Sequence, residues 1–133
     1  MFSFFRKSKT WKQYFDEGMA YGQASDFAKA ETSFRGAIRL APTEPYPHYE
    51  LGYTLSLMGR YKEALEELRR TDELARGFFL VQTEAWMCEQ FLSGVIDAEV
   101  LKLLRLLQRL TDNGASHSEQ ATTVSRRVNR VGS

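Results

Sequence analysis

The side chains that could act as a base or a nucleophile at neutral pH are few. They are His48, His117 and Cys88. Nucleophilic catalysis needs a base within hydrogen-bonding reach of the nucleophile, and neither histidine is placed to activate Cys88. Cys88 follows Trp86 and Met87 in a predicted helix, where the role of a small buried residue fits better than that of a nucleophile. The sequence therefore does not support an enzyme.

Spacing and charge also argue against other kinds of site. No pair of His and Cys has metal-ligand spacing, and no glycine-rich run follows a predicted strand to bind phosphate, so we expect no cofactor. The 18 basic and 17 acidic residues give a formal net charge of +1, which predicts no nucleic-acid partner. A single cysteine excludes an intrachain disulfide and is compatible with a reducing compartment.

The sequence gives little indication of a membrane. No apolar run approaches the length of a membrane span. Residues 1–10 place phenylalanines before cations, which is the wrong order for a secretory signal, so a cytoplasmic location is expected. Two readings of this extension stay open, since its phenylalanines could pack beside the first helix or touch anionic lipid. The second reading is weak, and a membrane partner is not expected.

Two segments of the chain repeat at an offset of 34 residues. The identical pairs are Gly18 with Gly52, Ala30 with Ala64, Arg35 with Arg69, Leu40 with Leu74 and Ala41 with Ala75. Apolar residues in both copies recur at spacings of three and four, which predicts helices. A helical period of this length is typical of stacked pairs of antiparallel helices.

The ends of these helices can also be read from residue types. Asp26 supplies N-cap chemistry for the second helix, which should stop before Pro42. Pro45 suits the first turn of the third helix, and Gly59 should form the turn before the fourth. A sixth helix should begin near Asp97.

Both copies resemble the tetratricopeptide repeat. The first copy reads Tyr14-x2-Glu17-Gly18-x2-Tyr21, then Ala30-x3-Phe34, Ala37 and Pro42, with Tyr14 and Glu17 in place of the family's Trp and Leu. The second reads Leu51-Gly52-x2-Leu55, Gly59, Tyr61 and Ala64-x3-Leu68, with Arg76 at the position of the closing Pro. The resemblance implies an all-α fold, a right-handed superhelix of antiparallel helix pairs. His48 occupies the position of the family's Trp.

The predicted organisation has three parts. Residues 1–10 form an extension, residues 11–112 the repeat domain and residues 113–133 a polar tail. The repeats span about 11–44, 45–78 and 79–112, and the third is divergent. Trp86 stands where the first two repeats have Gly, so the third helix pair should be splayed or shifted.

The sixth helix and the tail leave two alternatives open. Leucines on this helix form an apolar stripe that needs cover. Valines between residues 118 and 131 would share one face of a capping helix, which could supply that cover. Alternatively the tail is disordered and the leucines bind another chain. The candidate assembly face comprises Leu101, Leu103, Leu106 and Leu110.

The resemblance also implies where a ligand would bind, because the first helix of each repeat lines a concave groove in that family. The groove positions, carried over by register, are Lys12, Phe15, Met19, Gln23, Tyr46, Tyr49, Glu50, Tyr53, Leu57, Glu84 and Met87. Aromatic and thioether side chains dominate this set, and they hold apolar groups through burial. Each of these residues could instead belong to the interhelix core.

One subtype of the family grips a C-terminal carboxylate with Lys, Asn and Arg. The corresponding positions here hold Phe15, Met19, Glu50, Leu80 and Glu84. Without the positive clamp, an acidic tail would be repelled. A ligand with apolar anchors, and a basic residue facing Glu50 or Glu84, fits better.

Two functions are consistent with these residues. The first is a non-catalytic interaction module, an adaptor or chaperone-like protein, that binds a peptide or helix in the groove. The second is a structural subunit that self-associates or joins a larger complex through the Leu-rich sixth helix.

Overall fold

Antiparallel helix pairs build the part of the chain that the structure describes. The computed structural model describes residues 8–77 and 79–112, which form helices and no strand. The helices are α1 (Trp11–Gln23), α2 (Phe27–Leu40), α3 (Pro45–Leu57), α4 (Tyr61–Leu74), α5 (Phe79–Leu92) and α6 (Ala98–Asp112). The all-α class is confirmed. The predicted capping helix, like residues 1–7, lies outside the described residues.

The helices begin at residues suited to that position. Thr10 forms a capping box with Gln13: the Thr10 hydroxyl accepts from the Gln13 backbone N–H at 3.2 Å, and the Gln13 amide oxygen accepts from the Thr10 N–H at 2.8 Å. The Asp26 carboxylate accepts from the Lys29 N–H at 3.3 Å, which confirms the cap predicted for α2. Pro45 opens α3, as predicted.

Equivalent turns join the two helices of the first and second pairs. Ser25 ends the first turn with a φ of 59°, and Gly59, which lies 34 residues later, has a φ of 81°. Glycine adopts this left-handed conformation without strain, whereas serine does not. The same turn is therefore strained in the first pair and relaxed in the second.

Two glycines set the distance between paired helices. A Cβ atom on Gly18 would lie 2.6 Å from Cε1 of Phe34, and one on Gly52 would lie 2.9 Å from Cγ of Leu68. The Gly52 position is also closed by backbone, since the carbonyl oxygen of Ala64 would be 3.2 Å away. These contacts confirm that small residues at the repeated positions let the helices approach closely.

The buried apolar residues form one continuous cluster that extends from α2 to α5. It includes Ala30, Phe34, Leu51, Leu55, Ala64, Leu68, Val81 and Cys88. Because α2 packs against α3 and α4 against α5, each pair is covered by the next. Stacking of this kind buries apolar surface that a single helix pair would leave in water.

The third pair departs from the pattern. Helix α5 packs against α4, but α6 makes only light contact with α5. Trp86, the equivalent of Gly18 and Gly52, is 50% exposed. The light contact between α5 and α6 and the half-exposed indole agree with the expectation of a splayed or shifted third pair.

Candidate functional site

The residues predicted to line a groove lie on α1, α3 and α5, the first helices of the three pairs. The structure places these residues at three depths. Lys12, Gln23 and Tyr46 are exposed, and Phe15, Met19, Tyr53 and Leu57 are half-buried. Tyr49, Glu50, Glu84 and Met87 are buried. The predicted set therefore contains both accessible side chains and core.

The buried members correct part of the prediction. Tyr49 belongs to the same core cluster as Leu51 and Leu55, so its ring packs inside the array, the stack of helices α1 to α5. Met87 and Glu84 are covered as well, and Glu84 is only 1% exposed. A ligand cannot reach these side chains in this conformation. Fewer of the lining residues are accessible than their positions in the repeat predicted.

Aromatic rings connect the lining to the core. The ring centroids of Phe15 and Phe34 are 5.8 Å apart, and Trp11 meets Phe15 edge-on at 6.3 Å. On α3, Tyr49 and Tyr53 stack with centroids 6.5 Å apart. Ring pairs at these distances hold one another in place. Part of each half-buried ring remains exposed, where apolar groups could pack.

Glu50 of α3 and Glu84 of α5 both lie close enough to Tyr53 for their charges to raise its pKa. Burial raises the pKa of the Glu50 carboxyl to about 7. Glu84 instead bears an ion pair, because the Arg105 Nη2 atom lies 2.8 Å from its Oε1 atom. Sequence reasoning expected a basic residue of a ligand to face one of these acids. It did not anticipate that α6 of the same chain would supply one.

A small polar cluster forms around Glu84. The Ser56 hydroxyl donates to Glu84 Oε1 at 2.6 Å and accepts from Arg105 Nη2. The Arg105 guanidinium also lies 5.9 Å from the centroid of the Tyr53 ring, within cation–π range. Burial, and then the nearby Glu84 charge, raise the pKa of Tyr53. The cluster joins α3, α5 and α6.

Sequence reasoning missed Ser56 and Arg105. No residue type singled out Arg105, since Lys102 also stands between two leucines on this helix and Arg109 precedes Leu110. Leu101, Leu104, Arg105 and Gln108 follow the spacing of one helical face, and all four are at least partly buried. That face of α6 is directed at the array.

Among the described residues, Cys88 and His48 bond to different partners, since the Cys88 thiol lies 3.4 Å from the Ser56 hydroxyl. Cys88 is buried, as predicted, and burial raises the pKa of its thiol to about 11. His48 is bonded to Glu67 and to the Pro42 carbonyl rather than to Cys88. Within the described ranges, no three His, Cys, Asp or Glu side chains cluster in a way that could hold a metal. His117 is outside them.

Comparison with known proteins identifies the repeats. A family model described as the tetratricopeptide repeat matches residues 12–44 and 46–77. The chain carries two tetratricopeptide repeats. An uncharacterised TPR repeat-containing protein of Arabidopsis thaliana is 34% identical over 64 residues, which are 45% of this chain and 8% of that protein. The chain thus matches only a small part of the length of this relative.

A solved structure shares the fold of the tetratricopeptide repeats. It is a chain of the CopN–Scc3 complex, with a TM-score of 0.61 and 23% identity, over 68% of this chain and 54% of that one. At this identity the likeness concerns the fold alone.

The described helices include none that is both long and apolar enough to cross a bilayer.

In the tetratricopeptide array, α6 also carries the predicted assembly face. Leu103, Leu106 and Leu110 are exposed, with Leu103 at 59% and Leu110 at 72%. Leu101 is 4% exposed, so its inclusion in that face was wrong. The physical reason is helical geometry, because Leu101 shares a face with Arg105 rather than with Leu103. Leu107, at the spacing of Leu103 and Leu110, is exposed instead.

Proposed function

We propose that this protein is a non-catalytic interaction module, an adaptor or chaperone-like protein of the cytoplasm. Its ligand is a peptide or helix with apolar anchors, bound along the first helices of the repeats. The observation that carries this proposal is a set of apolar side chains on α1 and α3 that are exposed or half-buried, namely Phe15, Met19, Tyr46, Tyr53 and Leu57.

The chemistry of this set favours apolar anchors over charged ones. Burial of apolar surface contributes about 25 cal/mol per Å². Lys12 and Gln23 stand at opposite ends of α1 and are exposed, so they would contact the edges of a ligand rather than its anchors. Met19 adds a flexible side chain that can adapt to ligands of different shape.

Matched substitutions in the full chain test this proposal. Tyr46→Ala combined with Leu57→Ala removes accessible lining, whereas Lys62→Ala combined with Glu66→Ala alters exposed residues of α4. Proteins that copurify from the native cell are then quantified for both variants. We expect the lining variant to lose partners that the α4 variant retains. Partners kept by the lining variant, or lost equally by both, would place the binding surface elsewhere.

A second candidate function rests on the outer face of α6. Leu103, Leu106, Leu107 and Leu110 are each more than half exposed, and an apolar stripe of this kind is typical of an assembly surface. The protein would then be a structural subunit that self-associates or joins a larger complex. Light scattering at low and high concentration tests self-association. This function would be favoured if the protein is a dimer that Leu103→Glu dissociates and Lys102→Gln leaves intact.

A further inference from the structure

Helix α6 does not take the place of the second helix of a third repeat. In the first two repeats that helix packs over Gly18 and Gly52, but the equivalent Trp86 is half exposed. Through Arg105, α6 instead reaches Tyr53 and Ser56 of α3 and Glu84 of α5. Helices α3 and α5 are the first helices of the second and third pairs. Helix α6 therefore lies over part of the surface that the register assigns to a ligand.

The inward face of α6 has the chemistry that the surface requires of a ligand. Leu101 is buried, Leu104 is half-buried one turn later, and Arg105 places its guanidinium between Glu84 and Tyr53. Two leucines three residues apart supply apolar anchors, and the arginine next to the second supplies the cation that the buried acid needs. The pattern is Leu-x2-Leu-Arg on one face of a helix.

The contacts between α6 and the other helices are incomplete, because polar atoms remain unsatisfied and the packing is light. Both Glu84 Oε2 and Arg105 Nη1 are buried without a hydrogen-bond partner among the residues that the structure describes. A buried ion pair with unsatisfied atoms stabilises much less than a fully bonded one. In addition, α6 packs lightly against α5, whereas α1 with α2 and α3 with α4 pack closely. Helix α6 is thus held by the Arg105–Glu84 ion pair, while its packing against α5 is light.

We propose that α6 is an internal ligand of the groove, which competes with a partner helix carrying the same Leu-x2-Leu-Arg face. The partner is an amphipathic α-helix whose arginine pairs with Glu84 and lies over Tyr53. This inference rests on the proposed function and adds both the class of ligand and its regulation. Binding requires α6 to leave, so the measured affinity is reduced by the small fraction of open molecules.

A synthetic peptide of residues 97–112 is the probe, added in trans to the full chain. In wild-type protein we expect weak binding. In the full chain carrying Leu101→Ala and Arg105→Ala, which releases α6, we expect a dissociation constant lower by about tenfold or more, measured by calorimetry. Adding Glu84→Gln to that variant should abolish the gain.

Matched peptides show whether binding uses the proposed face. A peptide carrying Arg105→Gln should lose binding to the released variant, because Glu84 then has no cation. A peptide carrying Leu103→Ala, changed on the outward face, should bind as well as the unchanged peptide. Equal affinity of the wild-type and released proteins, or no binding by either, would overturn the competition.

Two further measurements start from the wild-type protein. In wild-type protein, amide hydrogen exchange should be faster in α6 than in α3; equal protection would overturn the proposal. Sedimentation should show a monomer. A wild-type dimer that Leu101→Ala dissociates would mean that α6 of a second copy fills the site, and would also overturn it.

The proposed function and this inference can fail separately. Loss of partners in the Tyr46 and Leu57 variant, without peptide binding to the released protein, would leave the interaction module standing and make α6 a fixed part of the fold. Peptide binding that requires Glu84, with no loss of cellular partners in the lining variant, would support the α6 site and contradict the rest of the groove.

Discussion

The Nδ1 atom of His48 lies 2.7 Å from a carboxylate oxygen of Glu67, which fastens the start of α3 to the middle of α4. The Nε2 atom of the same ring lies 2.8 Å from the carbonyl oxygen of Pro42. Each ring nitrogen of His48 therefore faces an acceptor oxygen. His48 thereby connects the loop between the repeats to both helices of the second one.

Replacing His48 should weaken the whole second repeat. His48→Phe leaves the Glu67 carboxylate and the Pro42 carbonyl without this donor, at a cost of about 1–3 kcal/mol in the free energy of unfolding. Urea denaturation measures the loss. Glu67→Gln is the control, since its amide oxygen still accepts from the ring, and it should cost less. A His48→Phe protein as stable as wild type would contradict this role.

Ser25→Gly should stabilise the protein. Ser25 has a φ of 59°, and relief of left-handed strain outweighs the added freedom of glycine in the unfolded chain by about 0.5–1 kcal/mol. At the equivalent turn, Gly59→Ala should destabilise by about 1 kcal/mol, because its φ is 81°. Thermal unfolding of both variants gives the comparison. Changes of the same sign would show that the two turns are not equivalent.

Gly52→Ala should destabilise the second helix pair by about 1–3 kcal/mol, because the new methyl group would meet both Leu68 and the Ala64 carbonyl oxygen. Gly22 offers a matched control within α1, where an added Cβ has nothing within 4 Å. Gly22→Ala should stabilise by about 0.5–1 kcal/mol through helix propensity alone. Chemical denaturation distinguishes the two, and a neutral Gly52→Ala would argue against close helix approach.

Stability should depend on pH through Glu50. Its pKa is about 7 in the folded protein against 4.5 for the free side chain, so folding favours the protonated form. That contribution is fully present below pH 4.5 and is lost as pH rises through 7. Glu50→Gln should therefore match wild type near pH 4 and exceed it at pH 8 by up to about 3 kcal/mol.

The measurement is the free energy of unfolding across that pH range. Tyr53 and the charges of Glu84 and Arg105 that act on it remain unchanged in the variant. Glu66→Gln, at an exposed position of α4, is the control and should change stability by less than about 0.5 kcal/mol. Parallel curves for wild type and Glu50→Gln would show that burial does not perturb Glu50.

The repeat made the fold predictable, because the same residues had to satisfy the same packing twice. Gly52 and Ala64 fix a close helix pair whatever surrounds it, and Pro45 fixes where α3 starts. Local chemistry therefore determined the helices and their pairing. Thr10 was overlooked as a cap, although its partner Gln13 is at the spacing of a capping box.

The site was less predictable, since accessibility depends on what covers a residue rather than on its position in a repeat. The register placed Glu84 and Met87 on the lining but could not show that they are covered. Arg105 is distant in sequence from Ser56 and Glu84, and without a third copy of the repeat nothing indicated the direction of α6. A periodic pattern predicts neighbours within the repeat and fails where the period ends.

The open indole of Trp86 has a practical consequence. Its ring lies half in water at the end of the array, whereas Trp11 is partly covered at the other end. Indole emission moves to shorter wavelength when the ring leaves water. The molecule thus contains its own optical reporter, which would register any helix that extends the stack over α5 without an attached dye.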